Sequence, residues 1–328
     1  MLRVVIIGYG EMFTNLIAGT LDANCEIVGV YRREMIKYPP LIRKIKDIFL
    51  PSLDYNYIKS YNLPEINARG VNSRGVNSVG VNSNQFKKAL LKLNPDIILV
   101  GSWGERISKE IYDIPKVAAI NAHPSLLPKY RGPNPYFWVI RNQEQSTGVS
   151  FHLLDSDYDT GAILAQEEIK IYPSDTGKSL KERTVLTARG VVCELLKDLS
   201  EDIIIPLTQT EDKSTYYSHP CDYELDFNKS AEENYAVIRA IYPWDDAYFY
   251  VDVTCLSAFP QGSEVLENNT KYTKAGTITG VDIKNKTIDI LCGDGKILKI
   301  RCEHYKKYDR PFTRNYLKRE IKIGCAVI

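Results

Sequence analysis

In the first 155 residues, short apolar runs alternate with helix-patterned segments, and no other feature restricts the fold as strongly. LRVVIIG (2–8), EIVGVY (26–31), PDIILVGS (95–102) and KVAAINA (116–122) are brief and almost uninterrupted in their hydrophobicity. Such runs read as strands buried on both faces. TGVSFHLLD (147–155) alternates like a fifth strand. A helix follows the Gly8-Tyr9-Gly10 turn through about Leu21, another covers QFKKALLKL (85–93), and a long one covers 176–199. Strands alternating with helices predict an α/β fold: a Rossmann-like, mostly parallel sheet with helices on both faces.

The texture changes after residue 205. PLTQTEDKSTYYSHP (206–220) is polar and irregular and reads as a linker. One helix (230–242) follows, and then the short alternating runs AYFYVDVT, AGTITGVDI and KTIDILCGDGKILKIRC. That pattern predicts a small antiparallel, OB-like β-barrel. The expected domains are therefore 1–205, catalytic, and 206–328, barrel-like. RGVNS-RGVNS-VGVNS (69–83) is a pentapeptide repeat rich in turn formers, too short for a solenoid, and reads as an expanded surface loop.

With 44% hydrophobic and 25% charged residues the chain has globular composition, and its net charge of +1 makes it no general magnet for polyanions. No apolar run reaches the roughly 18 residues of a membrane span. The N-terminus runs straight into a strand without a signal-peptide layout, so the expected location is the cytoplasm. Seven cysteines without a C-x-x-C pair read as small buried hydrophobes in a reducing compartment. His123, His152, His219 and His304 lack metal-ligand spacing, and no metal is expected.

Three places have the residues for chemistry. The first is the Gly8-Tyr9-Gly10 turn with Arg32-Arg33 after the second strand. It suggests an NADP-binding oxidoreductase, but Phe13 replaces the third glycine of that fingerprint, and a plain strand-to-helix turn fits better. The second is NAHPSLLPKYRGPNP (121–135), where Asn121 and His123 leave the end of a strand on the same side and four prolines stiffen the exit. The third is LLDSDYDTGAIL (153–164), which puts Asp155, Asp157 and Asp159 in one loop. Calcium-loop spacing is absent there. The loop ends a strand expected to neighbour the Asn-His strand, so an aspartate in it can reach His123. His152 reads as a structural residue of that strand.

Asn121-x-His123, Ser125-Leu126-Leu127-Pro128, Arg131-Gly132 and Asp159-Thr160-Gly161 together resemble the folate-dependent formyltransferases. TYYSHP, NYAVIRAIYPW (234–244) and ILCGDGKILKI (290–300) resemble the C-terminal domain of the members that act on methionyl-tRNA or UDP-amino-arabinose. The resemblance implies a transferase with 10-formyltetrahydrofolate as co-substrate and a primary amine as acceptor. It implies Asn121, His123 and Asp159 as catalytic residues. Asn121 would donate to an oxyanion, and Asp159 would raise the pKa of His123 so that a protonated imidazole adds a second donor. The folate would meet Trp103, Ile107, Ser125, Leu126, Leu127, Pro128, Asp155 and Gly161. The acceptor would meet Gly10, Glu11, Met12, Tyr130 and Arg131.

The expected acceptor is a nucleotide-linked amino sugar, with methionyl-tRNA as the alternative. YRREMIKYPPLIRKIKDIF (31–49) is basic but lacks the glycines of the tRNA enzyme's loop, and residues 201–328 carry 17 basic against 20 acidic side chains. Basic residues do cluster at Lys306, Lys307, Arg310, Arg314, Lys318 and Arg319.

Overall fold

The structure, a computed structural model, describes residues 1–32, 40–66, 70–71, 77–78, 80–304, 316–317 and 321–327. Arg33, most of the pentapeptide repeat and the basic cluster from Lys306 to Arg319 lie outside the described residues. The chain divides into two compact units. The first comprises Met1–Pro133, Thr147–Lys170 and Glu182–Tyr217, and the second comprises Asn134–Ser146, Ile171–Lys181 and Ser218–Ile328.

In chain order the elements begin β1 (Arg3–Gly8), α1 (Gly10–Asp22), β2 (Glu26–Arg32), α2 (Pro40–Phe49) and α3 (Leu53–Ser60). After the two-residue pair β3 (Gly70–Val71) and β4 (Asn77–Ser78) come α4 (Asn84–Leu93), β5 (Ile97–Gly101), α5 (Lys109–Tyr112) and β6 (Ala118–His123). Then follow α6 (Pro135–Arg141), β7 (Ser146–Leu153), β8 (Ile163–Lys170) and α7 (Gly177–Ser200). The main sheet has the order β2-β1-β5-β6-β7-β8. The pairs β1–β2, β1–β5 and β5–β6 are parallel, as the uninterrupted apolar runs predict. Side chains alternate across the sheet. Val4, Ile6, Ile97, Leu99, Ile120, Val149 and Phe151 pack on one face with Leu16 of α1 and Leu195 of α7. Val5, Ile7, Ile98, Val100 and Ala119 pack on the other with Phe86 and Leu90 of α4.

One strand departs from the parallel run. β7 lies antiparallel to β6, with Asn121 opposite His152 and His123 opposite Ser150. The end of β7 therefore sits beside the middle of β6, Leu153 opposite Ile120. The loop after it turns back over the face that carries Asn121 and His123.

The segment read as a linker is a strap of the first unit as far as Tyr217. Leu207 exchanges two 2.8 Å backbone hydrogen bonds with Ile163. Farther on, the N–H of Arg131 donates to the Thr215 carbonyl (2.9 Å) and that of Tyr217 to the Arg131 carbonyl (3.0 Å). A polar, irregular sequence could pair with the first unit because its contacts are backbone and amide hydrogen bonds, which need no apolar pattern.

In the second unit, α8 (Ala231–Ile241) starts at a capping box in which Ser230 and Glu233 satisfy each other's backbone N–H. It precedes β9 (Ala247–Val251), β10 (Thr254–Leu266), β11 (Ile278–Asp282), β12 (Thr287–Leu291) and β13 (Ile297–His304). These form one antiparallel sheet in the order β11-β12-β13-β10-β9, with the long β10 irregular between Phe259 and Glu264. AYFYVDVT is two strands rather than one, because Asp252 adopts a left-handed φ of 51° and turns the chain. Cys193, Cys292 and Cys302 are buried as expected, whereas Cys221 and Cys325 are exposed. Among the described residues no helix is long and apolar enough to cross a membrane.

Candidate active site

Asn121 and His123 are alternate residues of β6 and project from one face; β7 presents His152 directly across from Asn121. The loop between β7 and β8 adds Asp159, whose φ of 57° is left-handed. That loop is tightly built. The Thr160 hydroxyl bonds the Asp155 carboxylate at 2.7 Å, and the Asp157 N–H donates to the same group at 3.2 Å. At Gly161 a Cβ would lie 1.9 Å from the Leu153 carbonyl, so only glycine lets the loop close against β7.

Asp159 is the centre of the arrangement. The backbone N–H of Gly132 anchors its Oδ2 at 2.9 Å. Three nitrogens surround its Oδ1: Asn121 Nδ2 at 3.4 Å, His123 Nδ1 at 3.4 Å and His152 Nε2 at 3.5 Å. These are looser than charge-assisted hydrogen bonds, which fall near 2.7–2.9 Å. His152 was read from the sequence as structural, and the structure puts it in the site. Its Nδ1–H donates to the Leu153 carbonyl (2.9 Å), which leaves Nε2 to accept from the Asn121 amide at 3.1 Å. His152 therefore fixes which way the Asn121 amide points. Only the antiparallel register of β7 could have revealed it.

The stiff stretch after β6 returns to the site that it leaves. The Ser150 hydroxyl donates to the Ser125 carbonyl (2.6 Å) and accepts from the Leu127 N–H (3.1 Å). The Ser125 hydroxyl bonds the Lys129 carbonyl at 2.8 Å. The chain then comes back at Tyr130, whose carbonyl accepts from His123 Nε2 at 2.8 Å. His123 thus has Nε2 bound to the backbone and Nδ1 turned toward Asp159.

Two charges follow from this packing. For Asp159, burial pushes the carboxyl upward, but His123, His152 and the Gly132 N–H outweigh it and hold the group well below the usual carboxylate range. For His123 the balance goes the other way. Burial dominates and pulls the imidazole below the ordinary histidine value, although Asp159 and the Tyr130 carbonyl oppose it; His152 adds to the depression. Asp159 does favour the imidazolium, as expected, but burial opposes it and is the larger effect.

This has a consequence for stability. A depressed pKa means that the unfolded chain takes up the His123 proton before the folded one does, starting near pH 6.5. The contribution is fully present above that pH and is lost as pH falls below it, by at most about 1.4 kcal/mol per pH unit. Urea unfolding at pH 7.5 and 5.5 should show this loss in the wild type and a flatter profile in His123→Gln. Equal slopes in the two proteins would mean that His123 titrates alike in the folded and unfolded chains.

The other sequence candidates divide. Ile107 is buried in the core, and Trp103 lies tilted against Tyr31 (5.8 Å between ring centroids), with a buried Nε1–H that has no hydrogen-bond partner among the described residues. Leu126 is half-buried over Gly148, and the Pro128 carbonyl is engaged by the strap. Met12 is core, 2% exposed. The Glu11 carbonyl is taken by Thr14 and Asn15 inside α1. The buried guanidinium of Arg131 is bound to Gln209 and Glu211. Tyr130 stacks on Tyr217 at 5.1 Å.

The dinucleotide reading fails on geometry. A Cβ at Gly8 would lie 2.3 Å from the Gly101 carbonyl, so this glycine serves the close approach of β1 and β5. The Gly10 N–H at the start of α1 already donates to the buried carboxylate of Asp54 (2.9 Å), where a pyrophosphate would be required. Arg32 is fully buried and paired with Asp47 (2.7 Å) and Glu65 (3.4 Å). Among the described residues no cluster of His, Cys, Asp and Glu is placed to hold a metal ion.

A mostly parallel α/β sheet with an amide, two imidazoles and a carboxylate converging on one face defines a site suited to group transfer. Residues 3–195 match the formyl transferase family, and residues 218–311 match the family's C-terminal domain. The chain belongs to the formyl transferase family. It is 32% identical over 247 residues to the methionyl-tRNA formyltransferase of Lachnospira eligens, covering 73% of this chain and 78% of that protein. It is 39% identical over 165 residues to the bifunctional polymyxin resistance protein ArnA of Wigglesworthia glossinidia brevipalpis, covering 49% of this chain and 25% of that longer protein. In fold it is similar to the N-formyltransferase of Helicobacter canadensis, crystallised with folinic acid and dTDP-3-aminofucose. That likeness has a TM-score of 0.66 at 17% identity and covers 92% of this chain and 100% of the other.

Proposed function

We propose that this protein transfers the formyl group of 10-formyltetrahydrofolate to a primary amine carried by a small nucleotide-linked amino sugar. The observation that carries the reading is the ring of three nitrogens around Oδ1 of Asp159. The amine nitrogen attacks the formyl carbon, and the carbonyl electron pair moves onto oxygen. The Asn121 N–H that faces Asp159 only at 3.4 Å can turn to that oxyanion, while the 3.1 Å bond to His152 holds the amide in place. His123 Nδ1, whose protonation burial disfavours at rest, takes a proton from the amine. The resulting imidazolium then faces the Asp159 carboxylate and is stabilised there. As that proton returns to the folate nitrogen, the oxyanion electron pair re-forms the carbonyl and the folate C–N bond breaks, releasing the N-formylated amine and tetrahydrofolate. For the folate, the unpartnered Trp103 Nε1–H is a donor suited to a ring acceptor of the pterin. Ser125 to Pro128, Asp155 and Gly161 shape the neighbouring loops.

The small acceptor is supported by the near-neutral net charge of +1 and by the commitment of Arg131 to Gln209 and Glu211. Methionyl-tRNA is the second reading, favoured by the name of the Lachnospira eligens relative. Formyl transfer assayed with dTDP-3-aminofucose, UDP-amino-arabinose and methionyl-tRNA should give product with an amino sugar. With tRNA as the true acceptor, binding would weaken steeply between about 50 and 200 mM salt, since phosphate contacts release counterions. Consumption of NADPH, or no formamide with any amine, would overturn the proposal.

A further inference from the structure

The strap at 206–217 carries a residue that neither motif nor family match singles out. Gln209 is 9% exposed, and all its hydrogen-bonding groups are used. Its Oε1 accepts from Arg131 Nε (3.2 Å) and Nη2 (2.9 Å). Its Nε2 donates to the Asp159 carbonyl (2.9 Å) and the Gly161 carbonyl (2.7 Å). Turning the amide over would set its donors against a guanidinium and its acceptor against two carbonyls, so its orientation is fixed.

These bonds close a ring around the site. Asp159 Oδ2 is held by the Gly132 N–H; Gly132 follows Arg131; the Arg131 guanidinium grips Gln209; and Gln209 grips the backbone of Asp159. Tyr130, in the same turn, binds His123 through its carbonyl and has a left-handed φ of 61°, unusual for a bulky residue. The strap holds that turn too, because the Thr215 hydroxyl accepts from the Tyr130 N–H at 2.8 Å. Side chain and backbone of Asp159 are thus fastened to the segment that fastens His123.

We propose that Gln209 is a positioning residue: by joining the Arg131 guanidinium to the Asp159–Gly161 backbone it sets the carboxylate of Asp159 against His123. The kinetic part of its test rests on the formyl-transfer reading above. A displacement of about 1 Å at a catalytic group can cost on the order of 10²-fold in rate.

Gln209→Glu separates positioning from mere anchoring. Glutamate keeps, and strengthens, the acceptor for Arg131 but cannot donate to the two carbonyls. We expect a folded protein, with a melting temperature within a few degrees of wild type, whose kcat falls about tenfold or more while KM for the folate changes less than about twofold. A folded Gln209→Glu with wild-type kcat, or a loss confined to KM, overturns the proposal. A second readout needs no turnover. The titratable groups facing His123 are Asp159 and His152, with the Tyr130 carbonyl on Nε2. In Gln209→Ala a displaced Asp159 attracts the imidazolium less, so the His123 titration midpoint followed by NMR should move down. An unchanged midpoint overturns the proposal. A wild type that forms no formamide refutes the function while the midpoint still decides the role of Gln209.

Discussion

Replacing Asn121 by alanine is expected to lower kcat by about 10²–10³-fold, the usual cost of losing one oxyanion donor. The amide has one hydrogen committed to His152 at 3.1 Å and one facing Asp159 only loosely at 3.4 Å. The second is free to be recruited when negative charge develops on the formyl oxygen, and it costs little to redirect. Ground-state binding should hardly change, so the loss should fall on kcat rather than on KM. Stability should drop by about 1 kcal/mol, since His152 Nε2 loses its donor. His123→Ala and Asp159→Ala should be severely impaired as well. Single-turnover formyl transfer by folded protein measures the effect, and a folded Asn121→Ala within tenfold of wild type would remove this residue from the chemistry.

Arg32→Ala should destabilise the fold by about 3–5 kcal/mol, the cost of stripping one partner from a buried ion pair. Arg32 has no exposed surface, and Asp47 is 7% exposed. Burial disfavours the guanidinium's charge, but Asp47 and Glu65 together outweigh burial and hold its pKa above the ordinary arginine value. Without the arginine, the buried Asp47 loses the cation 2.7 Å away that compensates its charge. Arg32→Met combined with Asp47→Leu should recover much of the loss, because replacing both members removes the orphaned charge. Chemical denaturation of the three variants checks this. An Arg32→Ala protein as stable as wild type would show that the pair is solvated in solution.

Arg32 also shows why part of the sequence was misleading. Two arginines after a strand resemble a 2′-phosphate site when only neighbours in the chain are visible. The carboxylates that claim Arg32 lie 15 and 33 residues away. The same holds within the active site. Asn121 and His123 were legible because a two-residue step on a strand puts both side chains on one face whatever the strand packs against. Asp159 was legible as one of three acids in a loop after the next strand. His152 was not, since alternation alone cannot say which residue of a neighbouring strand lies opposite which. Gln209 was hidden for another reason: its role is made of bonds to backbone carbonyls, and these leave no mark in residue type.

By itself the sequence determined the buried strands of the main sheet and its helices, the separate antiparallel sheet, and the Asn-x-His step with a downstream acidic loop. Hydrophobic periodicity and turn chemistry are local, so a one-dimensional reading captures them. The tertiary structure alone decided that β7 runs against β6, that His152 orients Asn121, that burial disfavours the charged form of His123, and that the segment after residue 205 fastens the site. Each of these depends on distances between residues far apart in the chain and on how much water is excluded there. Electrostatics and register follow those quantities, not the order of residues.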